Sequence, residues 1–281
     1  MHSSLPLEKK IEIFFEGLKY RVGSLPPPGS LSKEFNALVH RAHTTSIEIF
    51  PVVTTMLTTC AVEMWLRGVH SFLISASLTE SSPLWAAVTG YYASHYCVRG
   101  LAHILGFYQL YRRRVILQID IDNGKHICHI LTKKARDSEH KFYWRVVKQD
   151  SNFIKDPLFV VNPEDEDESD AAHRNKANYA DHINRFPNFK PLEEQFLKER
   201  IKKLSSIQLS SVPIPNREKF PDIDSVQLIA LHRIIKFRRV INDVLGGSNR
   251  FWNVHRNPSW CMDYLDFQVT PPRFVEAGDQ R

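Results

Sequence analysis

WAAVTGYYASHYCVRGLAHILGFY, Trp85 to Tyr108, is the longest stretch of the chain that is both strongly apolar and strongly patterned. It holds an aromatic pair, Tyr91 and Tyr92, with small residues around it. Two polar side chains, Arg99 and His103, stand one helical turn apart. Residues at i and i+4 share a helix face, so these two form a polar seam on an otherwise apolar helix. Such a seam fits either packing or a site, whereas Tyr91 and Tyr92 suit a core. The stretch predicts the central helix of a bundle, from Leu84 to about Leu110. Ser82 is its N-cap, and Pro83 falls in the first turn, where proline is tolerated.

Upstream, Thr54 to Leu78 predicts a second long helix. Met56, Leu57, Cys60, Ala61, Met64, Trp65, Val69, Phe72 and Leu73 give it a broad apolar face. Before it, Ser30 or Ser32 caps a helix carrying Phe35, Leu38, Val39 and Ala42, which Pro51 ends or kinks near Phe50. SLPPPGS, Ser24 to Ser30, reads as a linker. Leu5 to Tyr20, with IEIFF at its centre, suits a short strand or a helix of one or two turns.

Downstream the period changes. VILQIDI, Val115 to Ile121, and KHICHIL, Lys125 to Leu131, alternate as strands around Asp122-Asn123-Gly124-Lys125, a strong hairpin signal. KFYWRVVK, Lys141 to Lys148, reads as a third strand. The expectation is a small antiparallel β-meander at about 114–149, inserted between helices. NPEDEDESD, Asn162 to Asp170, is an acidic solvated loop or the start of a helix near Ala171. Leu192 to Leu204 is an amphipathic helix with Glu early and Lys late. Val212 to Pro221 is a proline-rich linker, and Asp224 caps a helix that Gly246-Gly247 stops. The tail to Arg281 carries Trp252, Trp260, Tyr264 and Phe267.

A chain of 281 residues, 43% hydrophobic and 24% charged, is long enough to bury a sizeable core. The four cysteines, Cys60, Cys97, Cys128 and Cys261, are far apart and form no CxxC pair. That usage points to reduced thiols and a cytoplasmic setting. The N-terminus lacks a signal-peptide h-region. Glu63, Arg67, His70 and Glu80 interrupt the most apolar stretch, so no membrane-spanning helix is expected. The formal net charge of +6 serves solubility or an anionic partner such as RNA.

Two segments together resemble the HEPN superfamily, small helical-bundle proteins that include many metal-independent RNases. The first is GYYASHYCVRGLAHILG, where Tyr91, Tyr92, Ala93, Arg99, Leu101 and Gly106 match the family's helix pattern. The second is RNKANY, Arg174 to Tyr179, which is similar to an R-x-x-A-D-Y variant with Asn178 in place of Asp. Its Arg-Asn start also resembles the R-x4–6-H motif. No His stands at that spacing: Tyr179 occupies the first such position, and His182 falls one step beyond the last. A literal R-x4-H occurs at Arg250 and His255, outside the region of resemblance.

The resemblance implies a mainly α fold: a HEPN-like bundle over 30–206 with the β insertion. Residues 1–29 would precede it as a segment and linker, and 207–281 would pack on it as a helix and aromatic tail. It further implies a metal-independent endoribonuclease, an effector of prokaryotic defence or of a toxin–antitoxin system. Its partners would be RNA, a second copy of the chain across a shared cleft, or an antitoxin or other partner protein. The alternatives are a non-catalytic HEPN-like module binding RNA, nucleotide or protein, and a structural subunit of a larger complex.

RNA cleavage without a metal needs a base for the 2′-OH, a cation for the phosphorane oxygens and an acid for the leaving oxygen. Arg is permanently charged and grips phosphate with two parallel bonds, which makes Arg174 the phosphate candidate. Asn175 would orient the phosphate or sugar, and Tyr179 or His182 would move protons. Arg99, His103, Arg250 and His255 are secondary candidates. Each has a plainer reading: Arg174 paired with Glu164 to Asp170, Tyr179 an anchor between helices, His182 a solvated helix residue. No cofactor is implied. His126, Cys128 and His129 lack the convergent companions of a zinc site. Phosphate loops, GxSxG and HExxH are missing from the sequence.

Overall fold

A computed structural model describes residues 5–19, 28–110, 115–132, 139–156, 158–159, 194–207 and 223–245. These residues are mostly helical, with a small antiparallel four-stranded sheet. The chain divides into two compact units. A sheet unit comprises residues 1–65, 98–152 and 237–256, and a helical unit comprises 66–97, 153–236 and 257–281.

In the sheet unit, α1 (Leu7–Lys19) settles the reading left open for this segment in favour of a helix. Its Leu7, Ile11, Phe14 and Phe15 are buried at helical spacing. α2 (Pro28–Arg41) stops well short of Phe50. The residues after it form a strand, β1 (Ser46–Ile49), and Pro51 opens α3 (Pro51–Ser77) instead of closing the helix before it. Proline fits there because a first-turn N–H has no intrahelical acceptor anyway. Thr55, Thr58 and Thr59, all buried, return their hydroxyls to carbonyls one turn back. That bonding satisfies β-branched polar residues inside a buried helix.

α4 (Pro83–Ile104) ends earlier than expected, and β2 (Phe107–Leu110) follows it. Gly106 forces the stop. It sits at φ +94°, and a Cβ there would lie 2.2 Å from the carbonyl oxygen of Ile119. That close approach seats β2 beside β3 (Val115–Asp122), and Ile119 N–H donates to Gly106 O at 2.8 Å. β4 (Lys125–Thr132) pairs with β3 through the expected Asn-Gly turn, with Asn123 at φ 49° and Gly124 at φ 77°.

The sheet order is β1-β4-β3-β2, antiparallel throughout. One face carries Ile49, Tyr108, Leu110, Leu117, Ile119 and Cys128, all buried. The other carries Ser46, Glu48, Gln109, Gln118, Asp120, Asp122, Ile127 and His129, mixed polar and apolar. The expected third meander strand is absent: Lys141 to Lys148 lies in α5 (Glu139–Gln149). Phe142, Tyr143, Trp144 and Val147 are buried there. Their aromatic and β-branched content imitates a strand, but burial at 143, 144 and 147 follows a helix face. β2 takes the place on the sheet that this segment was expected to fill.

In the helical unit, the later part of α3, the first part of α4, α6 (Glu194–Ser205) and α7 (Ile223–Leu245, to Lys236) supply the core. A buried clamp joins them. Gln227 accepts from Arg200 Nε at 2.9 Å, and its amide nitrogen donates to Ser75 O at 2.9 Å and to Thr79 Oγ1 at 2.8 Å. Ser75 Oγ in turn donates to Ala86 O at 2.6 Å. Gly90 admits α7: a Cβ there would meet Val226 Cγ1 at 2.7 Å. Asp224 lies in the first turn of α7, ion-paired with Arg200 and Lys203. Burial alone would raise its carboxyl pKa; the bonds from Arg200 and Lys203 outweigh this and leave it lowered.

Candidate functional site

Among the described residues, polar side chains gather most closely around Tyr143 of the sheet unit. The terminal turns of α4 bring Arg99 and His103, β2 brings Gln109, and α5 brings Tyr143 itself. Tyr143 is fully buried. The Arg99 guanidinium carbon lies 5.2 Å from its ring centroid, and the His103 ring meets it edge-on at 5.4 Å. Its hydroxyl accepts from the Gln109 backbone N–H at 3.2 Å. His103 also stacks on Tyr108, with centroids 5.4 Å apart.

The bond from His103 Nδ1 to Phe107 O, 2.8 Å, fixes the protonation state. A carbonyl only accepts, so Nδ1 carries the hydrogen and Nε2 is left as an acceptor. Burial pushes the imidazole pKa down, and the Arg99 charge pushes it further. The Phe107 bond works the other way, and the balance lies at about 3. At pH 7 only about one molecule in ten thousand would hold the second proton. Such a group is a poor proton carrier, and at 1% exposure it is closed to solvent. Arg99 and His103 therefore form the seam that the sequence outlines, and it faces α5 and β2. The Gln109 amide is 6% exposed, and neither its oxygen nor its nitrogen has a hydrogen-bond partner among the described residues.

The leading catalytic candidates, Arg174, Asn175, Tyr179 and His182, and the secondary pair Arg250 and His255, lie outside the described residues. Of the candidate set, the structure places Arg99 and His103 and brings them together.

A second feature escaped the sequence reading. Ser46, Glu48, Asp120, Asp122, Ile127 and His129 line an open groove of about 460 Å³ on the sheet. Ser46 Oγ is hydrogen-bonded to His129 Nδ1 at 2.7 Å, and Lys125 pairs with Glu48 at 2.9 Å. Asp120 pairs with Lys10 of α1 at 3.4 Å, and Lys10 also donates to Leu105 O. The alternation of SIEI beside the Asn-Gly hairpin was the available signal for this face. His126 points to the opposite face, bonded to Thr54 at 2.7 Å, and burial lowers its pKa. Burial likewise pushes the Cys128 thiol up to about 12. No group of three or more His, Cys, Asp or Glu among the described residues is arranged to hold a metal ion. No helix among them is long and apolar enough to cross a membrane.

Fold and site together define a mostly helical protein with a small antiparallel sheet. No family model, no curated protein and no solved structure matches the chain.

Proposed function

We propose that the chain is a non-catalytic HEPN-like module that binds RNA. The observation that carries this reading is the state of the α4 seam. Arg99 lies against Tyr143, and His103 is buried, neutral and committed to Phe107 O. The seam therefore does not supply the histidine that the Arg174 segment lacks at the usual spacing. RNA is favoured over a neutral ligand by the net charge of +6, since phosphates attract a basic chain. Filter binding of labelled single-stranded RNA across a salt series tests the reading. Affinity should fall steeply with salt, with a slope of about −0.7 per phosphate contacted. A salt-independent or undetectable interaction overturns it.

The second reading is a metal-independent endoribonuclease, with Arg174 on the scissile phosphate, Asn175 orienting it, and Tyr179 or His182 moving protons. It is favoured by the Arg-Asn start of RNKANY. Under this reading Arg174→Ala abolishes cleavage of RNA in EDTA while the far-UV circular dichroism is unchanged; a folded variant that still cleaves removes Arg174 from the chemistry.

A further inference from the structure

We propose that the outer edge of β1 is a docking strand for an extended peptide that carries Lys or Arg at alternate positions. β1 ends the sheet, pairing with β4 alone. Ile130 N–H donates to Thr45 O, so residues 45 and 130 form a hydrogen-bonded antiparallel pair. The pattern alternates, which turns the backbone groups of Ser46 and Glu48 away from β4. Thr44 Oγ1 covers the Ser46 carbonyl at 2.6 Å. The N–H and C=O of Glu48 remain directed outward, with no hydrogen-bond partner among the described residues.

The side chains around this edge set the partner's chemistry. In the sheet unit, the large hydrophobic residues exposed among those described are Phe50, at 80%, Val52, at 57%, and Leu131, at 40%. Phe50 and Val52 directly follow β1, and Leu131 lies on the strand that β1 pairs with, two residues beyond the partner of Ser46. Scattered exposure needs no explanation, but exposure confined to one edge does. The face beside it carries Glu48, Asp120 and Asp122 against Lys125 and the buried Lys10, which leaves it negative in a chain of net charge +6. A strand added at β1 would lie about 4.8 Å away and alternate its side chains between the two faces. The residue opposite Glu48 falls on the acidic face and calls for a cation. Its neighbours fall on the face of Ile47 and Ile49, beside Phe50, and call for apolar side chains. Recognition by strand addition takes affinity from the backbone bonds and specificity from this alternation.

The probe is a fluorescent seven-residue peptide of alternating Lys and Val with blocked ends, titrated with the full chain and read by anisotropy. A peptide of alternating Glu and Val is its control. Glu48→Pro removes the outward donor at a site where an edge strand tolerates proline. It should weaken binding by about tenfold, the worth of one lost hydrogen-bonded contact. Glu48→Lys keeps the backbone donor and reverses the charge, and it should weaken the Lys–Val peptide by a similar factor. Circular dichroism establishes that each variant is folded. Equal binding of both peptides, equal binding to wild type and both folded variants, or no binding at millimolar peptide overturns the proposal. So does a concentration-dependent dimer that Glu48→Pro abolishes, since a second copy of the chain would then occupy the edge.

Discussion

Acidification tests the α4 seam through His103. In the folded chain its pKa lies at about 3, against 6.5 for the free side chain. Between those values the unfolded chain binds a proton that the folded chain refuses, so stability rises with pH. The contribution is fully present above 6.5 and is lost as pH falls from there towards 3. Each unit of difference is worth about 1.4 kcal/mol, so moving from pH 7 to pH 5 should remove about 2 kcal/mol through this residue alone. Urea unfolding at several pH values measures it, and a His103→Phe variant isolates it. Phe keeps a ring against Tyr108 and Tyr143 but has nothing to titrate. It leaves Phe107 O without its donor, at a cost of about 1–3 kcal/mol that does not depend on pH. Other titrating groups contribute alike to both proteins, so the difference between their stability–pH curves belongs to His103. The wild type should lose about 2 kcal/mol more than the variant over this interval. Parallel curves would refute the buried neutral imidazole, and with it the structural reading of the seam. Nitrogen shifts of the His103 ring should show a single neutral tautomer, hydrogen on Nδ1, down to pH 5.

Three further substitutions probe the framework, each read by urea unfolding. Gln227→Leu removes the acceptor for buried Arg200 and the donor to Ser75 and Thr79; it should cost about 2–4 kcal/mol, and a loss below about 0.5 would show that the clamp contributes little. Gly106→Ala drives a Cβ into Ile119 O at a positive φ, and at least about 2 kcal/mol should be lost; a neutral result would mean that the turn before β2 is not as described. Gln109→Met replaces a buried amide lacking partners by an apolar group of similar volume, and stability should rise by about 1 kcal/mol, whereas a fall would reveal a partner for that amide.

Sequence patterning disclosed the elements whose signals are local and unopposed. The Asn-Gly turn specifies its own backbone, and β3 and β4 alternate cleanly on either side of it. α3, α4, α6 and α7 are long enough for their apolar faces to show. The misses share one cause: local pattern and tertiary contact disagreed. Lys141 to Lys148 has strand-like composition, yet packing around Tyr143 makes it helical. Phe107 to Leu110 continues the helical composition of α4, and only the contact between Gly106 and Ile119 turns it into a strand. β1 is four residues long, too short for its alternation to stand out. The spacing of Arg99 and His103 showed that they share a face, but not what the face meets, because Tyr143 and Phe107 reach it through tertiary structure. The groove around Ser46 and Asp120 was invisible for the same reason: β1 and β3 become neighbours of β4 only in the folded sheet.

Binding without cleavage is the centre of the functional account. Incubating the full chain with end-labelled single-stranded RNA in EDTA, then running native and denaturing gels side by side, tests it most directly. The account predicts a shifted band on the native gel and full-length RNA on the denaturing gel; shortened RNA that disappears from the Arg174→Ala sample would contradict it.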